Sequence, residues 1–97
     1  MWNGSRFHLG PKAKRNLQKH GISFEKAKQV FFDPHLIVVE DREMDDEMRY
    51  QAIGYAGSGL LLVVHVDRSE ENREIIHIIS ARKATDYEQP AYSDQFA

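Results

Sequence analysis

The stretch IIHIISARKATDYE, residues 75–88, sets one histidine among four isoleucines and follows the run with Arg82 and Lys83. Imidazole gives and takes protons near neutral pH, while a guanidinium stays charged and offers paired donors to an oxyanion. Arg49 opens another apolar run, Arg68 closes a third, and Glu88 follows Arg82 by six residues. His77 with these cations could hold an anionic group and move a proton beside it. Templates for other chemistries are missing: the chain has no P-loop, GxSxG, HExxH or GxGxxG. With no cysteine there is no thiol nucleophile, disulfide framework or thiolate zinc site. The run EDREMDDE at 40–47 carries six carboxylates without the glycine and spacing of a calcium loop, so neither a metal nor a cofactor is expected.

The elements that must position these residues follow from periodicity. RFHL at 6–9 is long enough only for an edge strand, and Pro11 suits the first position of a helix. In PKAKRNLQKHG, Ala13, Leu17 and His20 fall on one helical face and Lys12, Arg15 and Lys19 on another, with Gly21 as the stop. Ser23 is the expected N-cap of a second helix through about Phe32, with Phe24, Ala27 and Phe31 as its core stripe and Asp33-Pro34 as its end. The period then becomes two. Strands are expected at 36–40, 49–56, 60–67 and 74–80, the last three joined antiparallel by short turns, with the acidic run as a solvated hairpin. The threonine-to-glutamate spacing of TDYE predicts a terminal helix from Thr85, which Pro90 should interrupt.

With 97 residues, 41% of them hydrophobic, the chain suits a single domain spanning 1–97. No signal-peptide core or membrane-length apolar run occurs, so a cytoplasmic protein with no membrane partner is expected. A net charge of −2 argues against non-specific coating of nucleic acid, but the average hides a gradient. Residues 1–30 hold seven basic residues against one acidic, whereas 31–60 hold two against seven. That division suits a polyanion on one surface and a basic protein on another, and equally an ordinary solvated surface.

NLQKHGISFEKA at 16–27, FFDP at 31–34, RYQAIG at 49–54 and IISARKAT with Glu88 and Tyr92 behind it together resemble the BrnT toxin family, RelE-like ribonucleases of bacterial type II toxin–antitoxin systems. The likeness runs from about residue 7 onward, and its most specific piece is IISARKA combined with KHG and FFDP. It implies a RelE-like α+β fold, an antiparallel sheet of about four to five strands with two N-terminal helices packed on it and a short C-terminal helix. It also implies messenger RNA cleavage without a metal, inhibition of translation, and neutralisation by a BrnA-like antitoxin through which alone operator DNA is bound.

Cleavage of that kind needs a proton taken from the ribose 2′-hydroxyl, charge stabilised on the phosphoryl oxygens, and a proton given to the leaving oxygen. Under the resemblance Arg49, Arg68, His77, Arg82 and Glu88 become the catalytic candidates, and Lys12, Arg15, Lys19, Lys83 and Tyr92 the substrate-binding ones. The family more often has arginine where this chain has His77. Each residue also has a plainer role: a half-buried strand histidine, a surface Arg82–Glu88 ion pair, a solvated helix stripe, a Tyr92 that packs the terminal helix. A register summing to 142 would put His65 opposite His77, although packing is the favoured role for His65 and for His20. Beside the endoribonuclease stand two alternatives, a non-catalytic antitoxin-binding adaptor and a small RNA-binding module.

Overall fold

The computed structural model describes residues 12–97 together with the backbone of Phe7 and His8; the remainder of the expected 6–9 strand lies outside the described residues. In chain order the elements are β1 (Phe7–His8), α1 (Lys12–His20), α2 (Phe24–Ala27) continued by a 3-10 turn (Lys28–Phe32), β2 (Ile37–Met44), β3 (Glu47–Ala56), β4 (Gly59–Asp67), β5 (Ile76–Lys83) and α3 (Gln89–Ser93), closed by a 3-10 turn at Asp94–Phe96. This is an α+β protein in which β2 to β5 form a four-stranded antiparallel meander. β1 joins the outer side of β5 in parallel, giving the order β1-β5-β4-β3-β2. The expectation of a wholly antiparallel sheet is corrected there. The long chain between β1 and β5 lets the two ends enter from the same side.

The acidic run is mostly strand. β2 and β3 extend into it, leaving only Asp45 and Asp46 as the turn, at φ 52° and 64°. A two-residue hairpin that follows strand twist requires positive φ at both positions, and aspartate tolerates it better than branched residues do. The terminal helix also departs from its capping-box reading. It starts at Gln89, and Pro90 sits in its first turn, where a missing amide costs nothing. Residues 85–88 form a turn instead, Glu88 N–H donating to the Thr85 carbonyl at 2.9 Å.

Ser23 caps α2 as its position predicts, its hydroxyl accepting the Lys26 amide at 3.0 Å. Phe24, Ala27 and Val30 then bury against Ala52, Leu61, Val63 and Ile78 of the sheet. Each large side chain so removed from water contributes about 1.5–3 kcal/mol. On the reverse face a smaller cluster of Ile53, Leu62 and Tyr92 holds α3.

The stripe expected on α1 is corrected, because Leu17 stays 49% exposed and His20 is exposed, while Asn16 is buried. The reason is hydrogen bonding. β1 covers only Ile76 and His77 of β5, so the backbone further along would present open donors and acceptors. The Asn16 amide fills that gap: Oδ1 accepts the Ala81 N–H at 3.0 Å, and Nδ2 donates to the Ala81 carbonyl at 2.8 Å and the Ile22 carbonyl at 2.9 Å. One side chain acts as a residue of the missing strand and ties the α1–α2 link to the same point.

Asp33 is the second polar anchor. Its carboxylate accepts the amides of His35 and Tyr55, each at 2.8 Å, and the Tyr92 hydroxyl at 2.7 Å. Desolvation pushes this carboxyl up, but the two amides and the hydroxyl outweigh it and the pKa lies below the ordinary value. Gly54 makes the approach possible, since a Cβ there would lie 3.1 Å from Val30 Cγ1 and 3.2 Å from Asp33 Oδ2.

Asn16→Ala should expose two strand groups to an apolar surround and lower stability by about 1–3 kcal/mol or more. At about 4–8 °C per kcal/mol, the loss is readable by thermal denaturation; an unchanged Tm would dismiss the strand-substitute role. Gly54→Ala should cost about 1–3 kcal/mol through crowding. Gly59→Ala, whose nearest neighbour would be at an ordinary 3.9 Å, should lack that crowding penalty in the same assay.

Candidate active site

Residues paired across an antiparallel ladder point to the same side of the sheet. The rung Arg49–Val66–His77 therefore lies on the face turned away from α1 and α2. Two rungs further along the same face come Gln51–Val64–Ser80 and then Ile53–Leu62–Arg82. Arg68, just past β4, reaches back over the rung before Arg49 and grips Glu47 with two bonds, Nε to Oε2 at 2.8 Å and Nη2 to Oε1 at 2.9 Å. Arg68 holds the Glu47 carboxyl below its ordinary pKa, with smaller contributions from His77 and Arg49. Glu47, Arg49, Arg68 and His77 are thus one charged cluster at one end of the sheet.

Arg82 lies on that face but at the other end. Five residues of extended chain separate it from His77, about 16 Å. Its Nη1 and Nη2 each donate to Glu88 at 2.7 Å, Nη1 also lies 3.3 Å from the Lys83 carbonyl, and Glu88 Oε1 accepts the Thr85 amide at 2.8 Å. The Arg82 hydrogen bonds draw the Glu88 pKa down to about 2, and Glu88 in turn raises that of Arg82. The plain ion pair is therefore real, and it uses part of the guanidinium's donor set. Arg49, by contrast, has no salt-bridge partner among the described residues.

The two histidines do not meet. His65 pairs with Ile78 and His77 with Val66, because the register shifts between Val64 and His65 and leaves Ile79 as an extra residue. The rings lie on opposite faces. His65 is buried on the helix side, edge-on to Phe31 at 4.9 Å and stacked on Tyr50 at 5.8 Å, and desolvation lowers its pKa. Tyr92 is buried too, between Tyr55 and Phe96 with its hydroxyl on Asp33, and desolvation followed by that bond raises its pKa to about 12. It packs the terminal helix and has no open ring face for a base.

Lys12, Arg15 and Lys19 are exposed on α1. With Asn16, Ile79 and Ser80 they line a groove of about 130 Å³ along the outer edge of β5. Ser80 connects that groove to the rung beyond His77, while Lys83 is exposed at the far end of β5. Among the described residues no group of three or more His, Asp or Glu side chains is placed to hold a metal ion, and no helix is long and apolar enough to cross a membrane.

Three contributors escaped sequence reasoning. Glu47 was legible in principle, since the Gly57-Ser58 turn sets a constant pair sum for β3 and β4, and counting back from it puts Glu47 across from Arg68. Asp33 carried the weaker signal of an aspartate before proline at a turn. Asn16, a polar residue beside an apolar stripe, carried none.

Among curated proteins none matches the chain. A family model, described as the ribonuclease toxin BrnT of type II toxin–antitoxin systems, matches residues 10–88, and the chain belongs to that family.

Proposed function

We propose that the protein is a metal-independent, RelE-like endoribonuclease toxin, one domain acting in the cytoplasm, that cleaves messenger RNA, inhibits translation and is neutralised by a BrnA-like antitoxin. The observation that carries this reading is the common face of Arg49, Arg68, His77 and Arg82. Arg49 and His77 flank Val66 two strands apart, about 10 Å, which is room for a phosphodiester between them. Arg49 is the phosphate ligand of this arrangement, its donors meeting charge that builds on the phosphoryl oxygens. His77 exchanges the proton, as base toward the 2′-hydroxyl or as acid toward the leaving oxygen. Arg68 reinforces the positive field from behind Glu47. Arg82, with Glu88 orienting it and Lys83 beside it, is too far along β5 for the same phosphate and holds a neighbouring nucleotide. Lys12, Arg15 and Lys19 carry the backbone away past Ser80.

A second reading draws on Glu47 and Glu88, each of which closes an arginine that cleavage would use. A chain so neutralised could serve as an adaptor that binds antitoxin without cutting RNA.

Expression of the chain alone should arrest growth and leave new messenger 5′ ends, and the purified protein should cleave single-stranded RNA in EDTA. His77→Ala should lower the cleavage rate about 10²–10⁴-fold and Arg49→Ala about 10²–10³-fold. Absence of cleavage with antitoxin binding intact would leave the adaptor; cleavage that requires added Mg²⁺ would refute metal independence.

Arg82→Ala should reduce cleavage less and cost stability as well, because it strands Glu88. The Glu88 pKa falls from 4.5 to about 2 on folding, so the folded state favours the ionised form. Stability from this pair is present above pH 4.5 and is lost as pH falls through about 2. Thermal denaturation of wild type and Glu88→Gln should differ at neutral pH and converge across that interval; a constant gap would contradict the assignment.

A further inference from the structure

The acidic run shared by β2 and β3 holds one arginine, Arg42, and the sheet register decides which way it faces. Ile37 to Glu40 pair with Ile53 to Tyr50, but beyond Glu40 the register shifts and pairing resumes at Glu43–Met48 and Met44–Glu47. Asp41 and Arg42 therefore stand together opposite Arg49, two residues against one, which is a β-bulge. Glu40 and Glu43 fall on the helix side with their partners Tyr50 and Met48. Alternation from Glu40 forward and from Glu43 back puts both Asp41 and Arg42 on the face of Arg49, Val66 and His77. Without the extra residue Arg42 would pair with Met48 and face the helices.

We propose that Arg42 is a further substrate-binding residue, which holds the RNA phosphate next to the scissile one and forms with Arg49 a two-guanidinium site at the β2–β3 corner of the sheet. The inference rests on the ribonuclease function proposed above, and three observations carry it. Arg42 and Arg49 lie one strand spacing apart, about 5 Å, and like charges set opposite one another across a ladder repel. Neither has a salt-bridge partner among the described residues, although carboxylates surround Arg42 in the sequence, whereas Arg68, Arg73 and Arg82 are each paired with a glutamate. Arg42 is also exposed, so its donors can reach a ligand.

The bulge sorts the charges of the acidic run. Glu40 and Glu43 are turned to the helix side, and Glu47, on the face of Arg49, is held by both donors of Arg68. Asp41 is the carboxylate that remains beside Arg42 and Arg49, so two guanidiniums against it leave the corner positive. A phosphate offers such a pair several oxygens, each able to accept from a planar donor fork. Arg42, Arg49 and His77 follow one another across β2, β3 and β5 over three strand spacings, about 14 Å. The ribose-phosphate chain accordingly crosses the strands rather than running along them: from Arg42, past the scissile bond between Arg49 and His77, toward the basic stripe of α1.

The test is fluorescence anisotropy of the whole protein with a labelled single-stranded oligonucleotide whose sugars lack the 2′-hydroxyl, so that it binds without being cut, at several salt concentrations. Loss of one phosphate contact lowers the slope of log affinity against log salt by about 0.7 for a single strand. Arg42→Ala should bind more weakly with that drop in slope, Arg42→Lys should keep the slope, and Asp41→Asn should tighten binding. Lys26→Ala, which removes an exposed cation from α2, should leave the slope unchanged. In cleavage, Arg42→Ala should raise KM for a long RNA and leave the rate on a dinucleotide, which has no neighbouring phosphate, at the wild-type value. A wild-type slope in Arg42→Ala, a loss equalled by Lys26→Ala, or the same defect on the dinucleotide would overturn the assignment. A lowered slope in a protein that cuts no RNA would support the phosphate site and remove the enzyme reading. Cleavage with a slope indifferent to Arg42 would do the reverse.

Discussion

The contact on which the arrangement depends is the amide of Asn16 against the backbone of Ala81. β5 carries His77, Ser80 and Arg82, yet among the described residues its outer edge is covered by a strand at only two positions. An open edge of that length would leave buried amides without partners or invite another chain to pair with it. Asn16 closes it from α1 with a donor and an acceptor at the correct spacing, and its second amide hydrogen holds the Ile22 carbonyl. The basic stripe of α1 is thereby fixed along the edge of the strand that bears the candidate residues. A hydrophobic residue at position 16 could pack there but could not fix the axial position of the helix, because dispersion contacts are not directional.

Asp33 does for the other face what Asn16 does for the edge. Its carboxylate joins the end of the 3-10 turn, the Tyr55 amide of β3 and the Tyr92 hydroxyl of α3. α3 consequently covers Ile53 and Leu62 and stops there. The half of that face holding Arg49, Gln51, His77 and Ser80 is partly exposed, with Val66 buried between Arg49 and His77. A small domain with one principal core has little apolar area to spare for a second layer. Holding a short helix by a few directed bonds to one ionised carboxylate lets the sheet bury one end of its outer face with few residues.

Much of this was legible in the sequence, for reasons that differ from element to element. The capping of α2 by Ser23 and the Phe24–Ala27 stripe depend on local spacing, which survives folding unchanged. The β3–β4 hairpin is equally local, its Gly57 taking φ 62° in the tight turn. Neither the face shared by Arg49, His77 and Arg82 nor the relation of His65 to His77 was within reach by parity. A single extra residue, Ile79, puts the two rings on opposite faces, and isoleucine at a bulge looks like isoleucine anywhere in a strand. The start of α3 was misplaced because Thr85 and Glu88 have capping-box spacing, while the Glu88 carboxylate is in fact engaged by Arg82, a partner that local spacing does not show. Family resemblance supplied the activity class; it did not supply which arginines are already held by glutamates.

Those glutamates bear on how any polyanion would bind. Arg68 and Arg82 are each held by a carboxylate in the absence of ligand, so a phosphate must share or displace that partner, whereas Arg49 requires no such exchange. A phosphodiester and a carboxylate carry the same charge, and trading one for the other at a surface yields little net Coulomb energy. What the pairs provide is position: each guanidinium is held in one orientation before the ligand arrives, which reduces the side-chain entropy lost on binding. Longer-range attraction comes from elsewhere. The sheet order sets β5, with α1 beside it, three strand spacings from β2, about 14 Å, so the Lys12, Arg15 and Lys19 stripe and the carboxylates of the β2–β3 hairpin lie toward opposite edges. At physiological salt that separation exceeds the screening length of about 8 Å. An approaching polyanion therefore senses chiefly α1 and the edge of β5, and a basic polypeptide the β2–β3 edge, although the chain as a whole is close to neutral.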